Sequence, residues 1–165
     1  MIGIAGNADN NRGKEEKMKI RKAFSADRDT YLAMAKDFYD SNAVMHKIPD
    51  SRLEVTFDYM MSDDTYGSVY IIEQDERKVG YLLTAVTYSQ EAGGRVLWLE
   101  ELYIIPEYRG KGIGHEVFSF AEGLASEGFA RIRLEVEPEN GRAAELYKRL
   151  GYEGIPYESM IKELL

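Results

Sequence analysis

The chain has 165 residues, 44% of them apolar, a net charge of −8 and no cysteine. That length and apolar content suffice for one globular domain with a core, and the absence of cysteine excludes disulfides, thiolate metal sites and cysteine nucleophiles and fits a cytoplasmic protein. The acidic balance argues against nucleic acid as a partner, no apolar run approaches the ~20 residues that span a bilayer, and two histidines, His46 and His115, are too few for a metal site.

Residues 1–17 are polar, rich in Gly and Asn and without periodicity or a signal-peptide core, which predicts a disordered leader with Met18 as an alternative start. Residues 18–165 read as a single domain. Met18 to Phe24 makes a first strand. From Asp27 to Tyr39, Tyr31, Met34, Ala35 and Phe38 fall on one helical face, and Asp27 and Asp29 suit the positive end of its dipole. A loop with Pro49 leads to a second helix, Ser51 to Met61, with Leu53, Phe57, Met60 and Met61 inward.

The period then changes. Ser68 to Glu73, Val79 to Tyr88 and Val96 to Ile105 read as strands joined by turns at Asp75-Glu76-Arg77 and Ala92-Gly93-Gly94. A helix from Gly112 to Ser126 carries Ile113, Val117, Phe120, Ala121 and Leu124 on one side. Arg131 to Val136 alternates as a half-buried strand, Asn140 to Leu150 is a helix stopped by Gly151, and Tyr157 to Lys162 is a candidate last strand. Antiparallel strands followed by β-α-β-α predict an α/β fold with a mixed sheet flanked by helices.

The most informative stretch is Arg109-Gly110-Lys111-Gly112-Ile113-Gly114, on the turn from the strand closed by Pro106 into the helix. Such a turn presents unpaired N–H groups and a helix dipole to an anion, and glycine lets backbone approach it closely. A P-loop would need Ser or Thr after its Gly-Lys pair, and a dinucleotide fingerprint would need Gly-x-Gly-x-x-Gly after a first strand. Neither spacing is present. What remains, Arg-x-x-Gly-x-Gly, resembles the acyl-CoA pyrophosphate loop of the GNAT superfamily of N-acyltransferases. Leu99 to Arg109 looks like that family's fourth strand running into the loop. Glu137-Pro138-Glu139-Asn140 followed by Ala143 to Tyr152 looks like its next strand end and following helix.

The resemblance implies a mostly antiparallel central sheet with a splayed parallel strand pair, a bulge that opens a slot there, and acetyl-CoA as co-substrate without a metal. It places the main chain of Leu102, Tyr103 and Ile104 on the pantetheine arm. It also places the pyrophosphate on Gly110, Lys111, Gly112, Ile113, Gly114 and His115, although His115 reads more readily as a helix surface residue. Arg109 has two readings, phosphate contact or structural pairing, and Asn140 contacts pantetheine, caps the helix, or does both.

The reaction needs a base and an acid. An amine of pKa ~10.4 costs roughly 4–5 kcal/mol to deprotonate at pH 7. Strand alternation would send one of Glu100 and Glu101 into the cleft and the other to the opposite face; the resemblance to polyamine acetyltransferases gives the base role to Glu100, with Glu101 the alternative. Tyr147 matches the family's tyrosine acid, which protonates a thiolate of pKa near ~8.5; since it shares the helix's apolar face with Ala143, Ala144 and Leu150, a core tyrosine is the alternative. Phe38 to His46 falls where the family, by this resemblance, builds its acceptor pocket, with His46 a candidate relay; a loop or interface packing role is the alternative for each of these residues. The net acidity either draws in a cationic amine or merely keeps the protein soluble.

Taken together, the sequence implies direct acetyl transfer to the primary amine of a small molecule. The alternatives are acetylation of a protein N-terminus or lysine, which needs an open groove, and a non-catalytic acyl-CoA-binding regulatory module. Homodimerisation is expected from family habit alone.

Overall fold

A computed structural model describes residues 18–41, 47–138 and 140–164, with Arg142 by its backbone only. The leader expected over 1–17 and His46 lie outside the described residues. The elements in chain order are β1 (Met18–Lys22), α1 (Arg28–Asp40), α2 (Asp50–Ser62), β2 (Gly67–Gln74), β3 (Arg77–Ser89), β4 (Gly94–Ile104), α3 (Ile113–Ala125), β5 (Arg131–Leu134) and α4 (Gly141–Arg149). The sheet runs β1-β2-β3-β4-β5, antiparallel except for the parallel pair β4–β5. This is the mixed sheet that the sequence predicts.

Local chemistry explains the connections. Gln74 faces Arg77 across a two-residue hairpin turn, and Asp75 and Glu76 both take positive φ, the conformation that matches strand twist in such turns. Parallel β4 and β5 need a crossover, which α3 supplies. Its apolar positions Ile113, Val117 and Ala121 recur every four residues and are all buried, each larger one contributing about 1.5–3 kcal/mol.

Two cores form, one on each face of the sheet. Tyr31, Met34 and Ala35 of α1 and Leu53 and Phe57 of α2 pack on Val69, Ile71, Tyr81 and Tyr103. On the other face Ile113, Val117, Phe118 and Ala121 of α3 meet Ile72, Leu82, Leu97 and Leu99, with Leu146, Tyr147 and Leu150 of α4 packed alongside.

Asp27 stands at the N-terminus of α1, as expected, and is also fully buried, where it accepts from Arg21 Nη1 (2.7 Å), Arg21 Nη2 (3.0 Å), Lys78 Nζ (2.7 Å) and the Phe24 N–H (3.0 Å). Two expectations need correction. β5 stops at Leu134 rather than Val136, because its partner β4 kinks away beyond Leu99. Residues 157–162 form no strand. Met160 and Ile161 are adjacent rather than alternate, so no single face of the segment is apolar; Glu163 instead lies 3.5 Å from Arg52 on α2.

Candidate active site

The site begins with one extra residue. In the β3–β4 ladder Leu83 pairs with Glu101 and Thr84 with Leu99, so Glu100 is bulged out. The bulge reverses strand parity: Leu99 and Leu102, three apart, both join the α3-side core, while Glu101 and Tyr103 turn toward α1. Glu100 and Glu101 therefore escape the regular alternation that would give the cleft only one of them. Both line one cavity of about 840 Å³. The bulge also ends the β4–β5 pairing, which covers only Val96–Leu99 and Arg131–Leu134. Beyond it the strands part, and the cavity lies between Glu100–Leu102 on one side and Glu135–Pro138 on the other.

Environment separates the two acids. Glu101 Oε1 accepts from the Tyr39 hydroxyl (2.5 Å) and Oε2 from the Tyr81 hydroxyl (2.7 Å). Burial raises the Glu101 carboxyl above the usual range, and the two tyrosine donors oppose that rise. Glu100 has no hydrogen-bond or ion-pair partner among the described residues. Glu100 is solvent-exposed as a residue, yet the surrounding wall partly desolvates its carboxyl and raises it, followed by the charges of Glu101 and Glu135.

Tyr147, on α4, lines the same cavity, with its ring 5.2 Å from Phe118. Burial pushes its hydroxyl above the ordinary tyrosine range, so it stays protonated at neutral pH. Asn140 caps α4, its Oδ1 accepting from the Ala143 N–H at 3.2 Å, and borders the cavity as well. Both readings of Asn140 are thus compatible with the structure.

The glycine loop lies at the far end of β4. Gly110 and Gly112 have φ +78° and +85°, in the left-handed region that glycine alone enters without strain. None of residues 110–114 donates its N–H to a described acceptor. A Cβ built on Gly112 would find no protein atom within 4 Å, so the space in front of the loop is open. Lys111 Nζ stands 4.8 Å from the Tyr108 ring centroid. Five free amides, an adjacent ammonium and the N-terminus of α3 fit a pyrophosphate.

His115 is exposed, and its N–H is spent on the Gly112 carbonyl (2.9 Å), so its main chain is not among the free donors. Arg109 Nε donates to the Ile104 carbonyl (2.7 Å), with its guanidinium 5.6 Å from the Tyr103 ring centroid. That geometry meets the structural reading. Leu102 and Ile104 pack in the α3-side core, and Tyr103 is buried and donates to Asp37. The edge of β4 from Glu100 to Ile104 that faces away from β3 carries no strand among the described residues and fits an extended pantetheine arm.

The structure adds residues that the sequence reading missed. Tyr81 holds Glu101, yet only the β3–β4 register reveals it. Tyr39, within the expected acceptor segment, shares this role. Phe118, outside the predicted apolar stripe of α3, is buried at the cavity wall. Among the described residues there is no group of three or more potential metal ligands, and no helix is long and apolar enough to cross a membrane.

Comparison with known proteins agrees with this geometry. A family model described as the Acetyltransferase (GNAT) family matches residues 30–152. The chain is 29% identical over 142 residues to a thialysine N-epsilon-acetyltransferase of Mus musculus, covering 81% of this chain and 82% of that protein. It is 45% identical over 74 residues to the Bos taurus enzyme of the same name, a match that spans 44% of this chain and only 43% of the relative. Among solved structures, a possible acetyltransferase from Clostridium difficile 630 superposes with a TM-score of 0.77 at 22% identity, over 90% of this chain and 98% of that one. An aminoglycoside N-acetyltransferase in complex with CoA gives 0.75 at 15% identity, over 92% and 97%.

Proposed function

The chain belongs to the GNAT family of acetyltransferases, and from that premise we propose that it transfers the acetyl group of acetyl-CoA directly to the primary amine of a small molecule. The observation that carries this reading is the convergence, on one cavity, of an unpartnered carboxylate (Glu100) and a protonated tyrosine (Tyr147), with the glycine loop at the end of the same strand. Names borne by relatives, thialysine and aminoglycoside acetyltransferases, support amine acetylation as a class.

The chain's own groups divide the work. Free amides of residues 110–114 and Lys111 hold the pyrophosphate, and the open edge of β4 orients the pantetheine arm. Glu100 takes one proton from the acceptor ammonium and passes it toward solvent, giving a path to the free lone pair, whose exposure costs roughly 4–5 kcal/mol at pH 7. Tyr147 gives its hydroxyl proton to the departing thiolate, at a cost of about 2 kcal/mol for an ordinary tyrosine and more for this buried one, and recovers one from the proton the new amide sheds. Acetyl-CoA supplies the thioester whose C–S bond breaks as the C–N bond forms. The balance is one amide, one thiol and one released proton. With no cysteine in the chain, no acyl-enzyme on sulfur can form. The test is to incubate the protein and acetyl-CoA with small amines and with peptides bearing free N-termini or lysines, and to weigh the products. Acetylation of small amines at the higher kcat/KM supports the proposal, and acetylation of peptides alone overturns it.

A further inference from the structure

Glu100 and Glu101 share a cavity but not a role. Each oxygen of Glu101 accepts a hydroxyl, one from α1 (Tyr39) and one from β3 (Tyr81). The rings that carry those hydroxyls are themselves fixed. Tyr81 is fully buried, stacked on Tyr103 at 5.9 Å and edge-on to Tyr31 at 4.9 Å. Tyr39 sits edge-on to Phe38 at 5.3 Å. The Glu101 carboxylate thus cannot swing toward a substrate without breaking two charge-assisted hydrogen bonds. Nothing described holds Glu100.

We propose that Tyr39 and Tyr81 are positioning residues: their hydroxyls lock Glu101 as a fixed anion beside Glu100, and so make Glu100 the carboxylate that takes the acceptor's proton. This rests on the acetyl-transfer reading of the cavity. The reasoning is that of any coupled pair of acids. Hydrogen bonds donated to one carboxylate keep it charged, and its charge raises the proton affinity of the other. A general base at neutral pH gains from that rise. The groups that interact with the pair are Tyr31 and Tyr39 from α1, Tyr81 from β3 and Glu135 after β5, and the cavity wall adds Glu137, Tyr147 of α4, Glu158 and one cation, Arg133 of β5. Arg133 bonds to neither glutamate and has its guanidinium 4.4 Å from the Trp98 ring centroid, so the two tyrosine hydroxyls remain the donors on Glu101.

The two assignments of the base predict opposite signs. Removing a tyrosine hydroxyl raises the buried Glu101 carboxyl, which then protonates first and stops raising Glu100. If Glu100 is the base, the acid limb of the pH–kcat/KM profile moves down; if Glu101 is the base, it moves up. The experiment compares wild type, Tyr39→Phe, Tyr81→Phe and Glu101→Gln. It pairs their pH–rate profiles with a carboxyl titration of the free proteins by NMR, using 13C-labelled glutamate.

The expected result is an acid limb lowered by about one pH unit in all three variants, with kcat reduced and KM for acetyl-CoA unchanged. The Glu101 carboxyl signal should titrate at higher pH in both tyrosine variants. An unmoved limb, an upward shift, or an unmoved Glu101 signal overturns the proposal. Tyr39→Phe, at a half-buried position, keeps the test available if Tyr81→Phe fails to fold. A wild-type protein that acetylates no amine defeats the acetyl-transfer reading alone, since the NMR titration still decides whether the tyrosines hold Glu101 charged.

Discussion

Replacing Tyr147 with phenylalanine separates chemistry from binding and from folding. Tyr147 borders the cavity and its hydroxyl makes no hydrogen bond to any described residue, while the ring packs on Phe118 and Tyr152 at 5.2 and 6.2 Å. Phenylalanine keeps that packing, so stability should change by no more than about 0.5 kcal/mol. The chemical effect is larger. General acids contribute about 10²–10⁴-fold, but a thiolate of pKa near ~8.5 needs less help than an alkoxide. We therefore expect a fall in kcat of at least about tenfold, or about 1.4 kcal/mol in the barrier, with the affinity for acetyl-CoA unchanged. Because the chain lacks cysteine, a thiol-reactive dye reports only the CoA released, and initial rates give kcat and KM directly. Equal kcat in the variant would remove Tyr147 from the acid role. A fall in kcat accompanied by a Tm loss of several degrees would mean that the hydroxyl is structural.

Gly112→Val should cost about 2 kcal/mol in stability, because φ is +85° there, and should abolish acetyl-CoA binding by calorimetry, because the open space beside the glycine is where the phosphates would lie. Unchanged affinity would detach the loop from the cofactor. Asp27→Asn should destabilise by about 1.5–3 kcal/mol at pH 7 by removing the charge that Arg21 and Lys78 share, although Arg21 keeps Glu73. Burial works to raise the Asp27 carboxyl, but hydrogen bonds from Arg21, then Lys78 and the Phe24 N–H, hold it well below the ordinary range. A depressed folded-state value gives stability that is complete above the unfolded value near ~4 and fades as pH falls through the folded value. Urea denaturation should thus show the gap between wild type and Asp27→Asn shrinking below about pH 4. A gap independent of pH would mean that Asp27 is not held as a charged group.

Much of this was legible in the sequence, because helices and strands with clear apolar periodicity announce themselves. The α1 face of Tyr31, Met34 and Ala35 and the strand-loop-helix unit around Gly112 needed no structure. What escaped were features set by tertiary register. Glu100 and Glu101 look like any adjacent pair until the ladder skips a residue and turns both into one cavity. Tyr81 reads as an ordinary strand aromatic, and its place opposite Tyr103 and near Glu101 exists only once β3 and β4 are paired. Asp27 is a plausible dipole residue by sequence, yet Arg21, Lys78 and Glu73 converge from three strands to make it the buried end of an ion network. The expected last strand shows the converse, since residues with strand propensity need a partner edge and a consistent face, and Met160-Ile161 breaks that face.

The central claim is that this cavity joins acetyl-CoA to a small amine, and the most direct measurement is acetyl-CoA-dependent thiol release across a panel of primary amines, with acetyl-CoA titrated alongside. The account predicts saturable turnover with at least one small amine, lost in Gly112→Val and reduced at least about tenfold in Tyr147→Phe. Tight binding of acetyl-CoA with no release above the uncatalysed rate across the panel, or no binding at all, would contradict it.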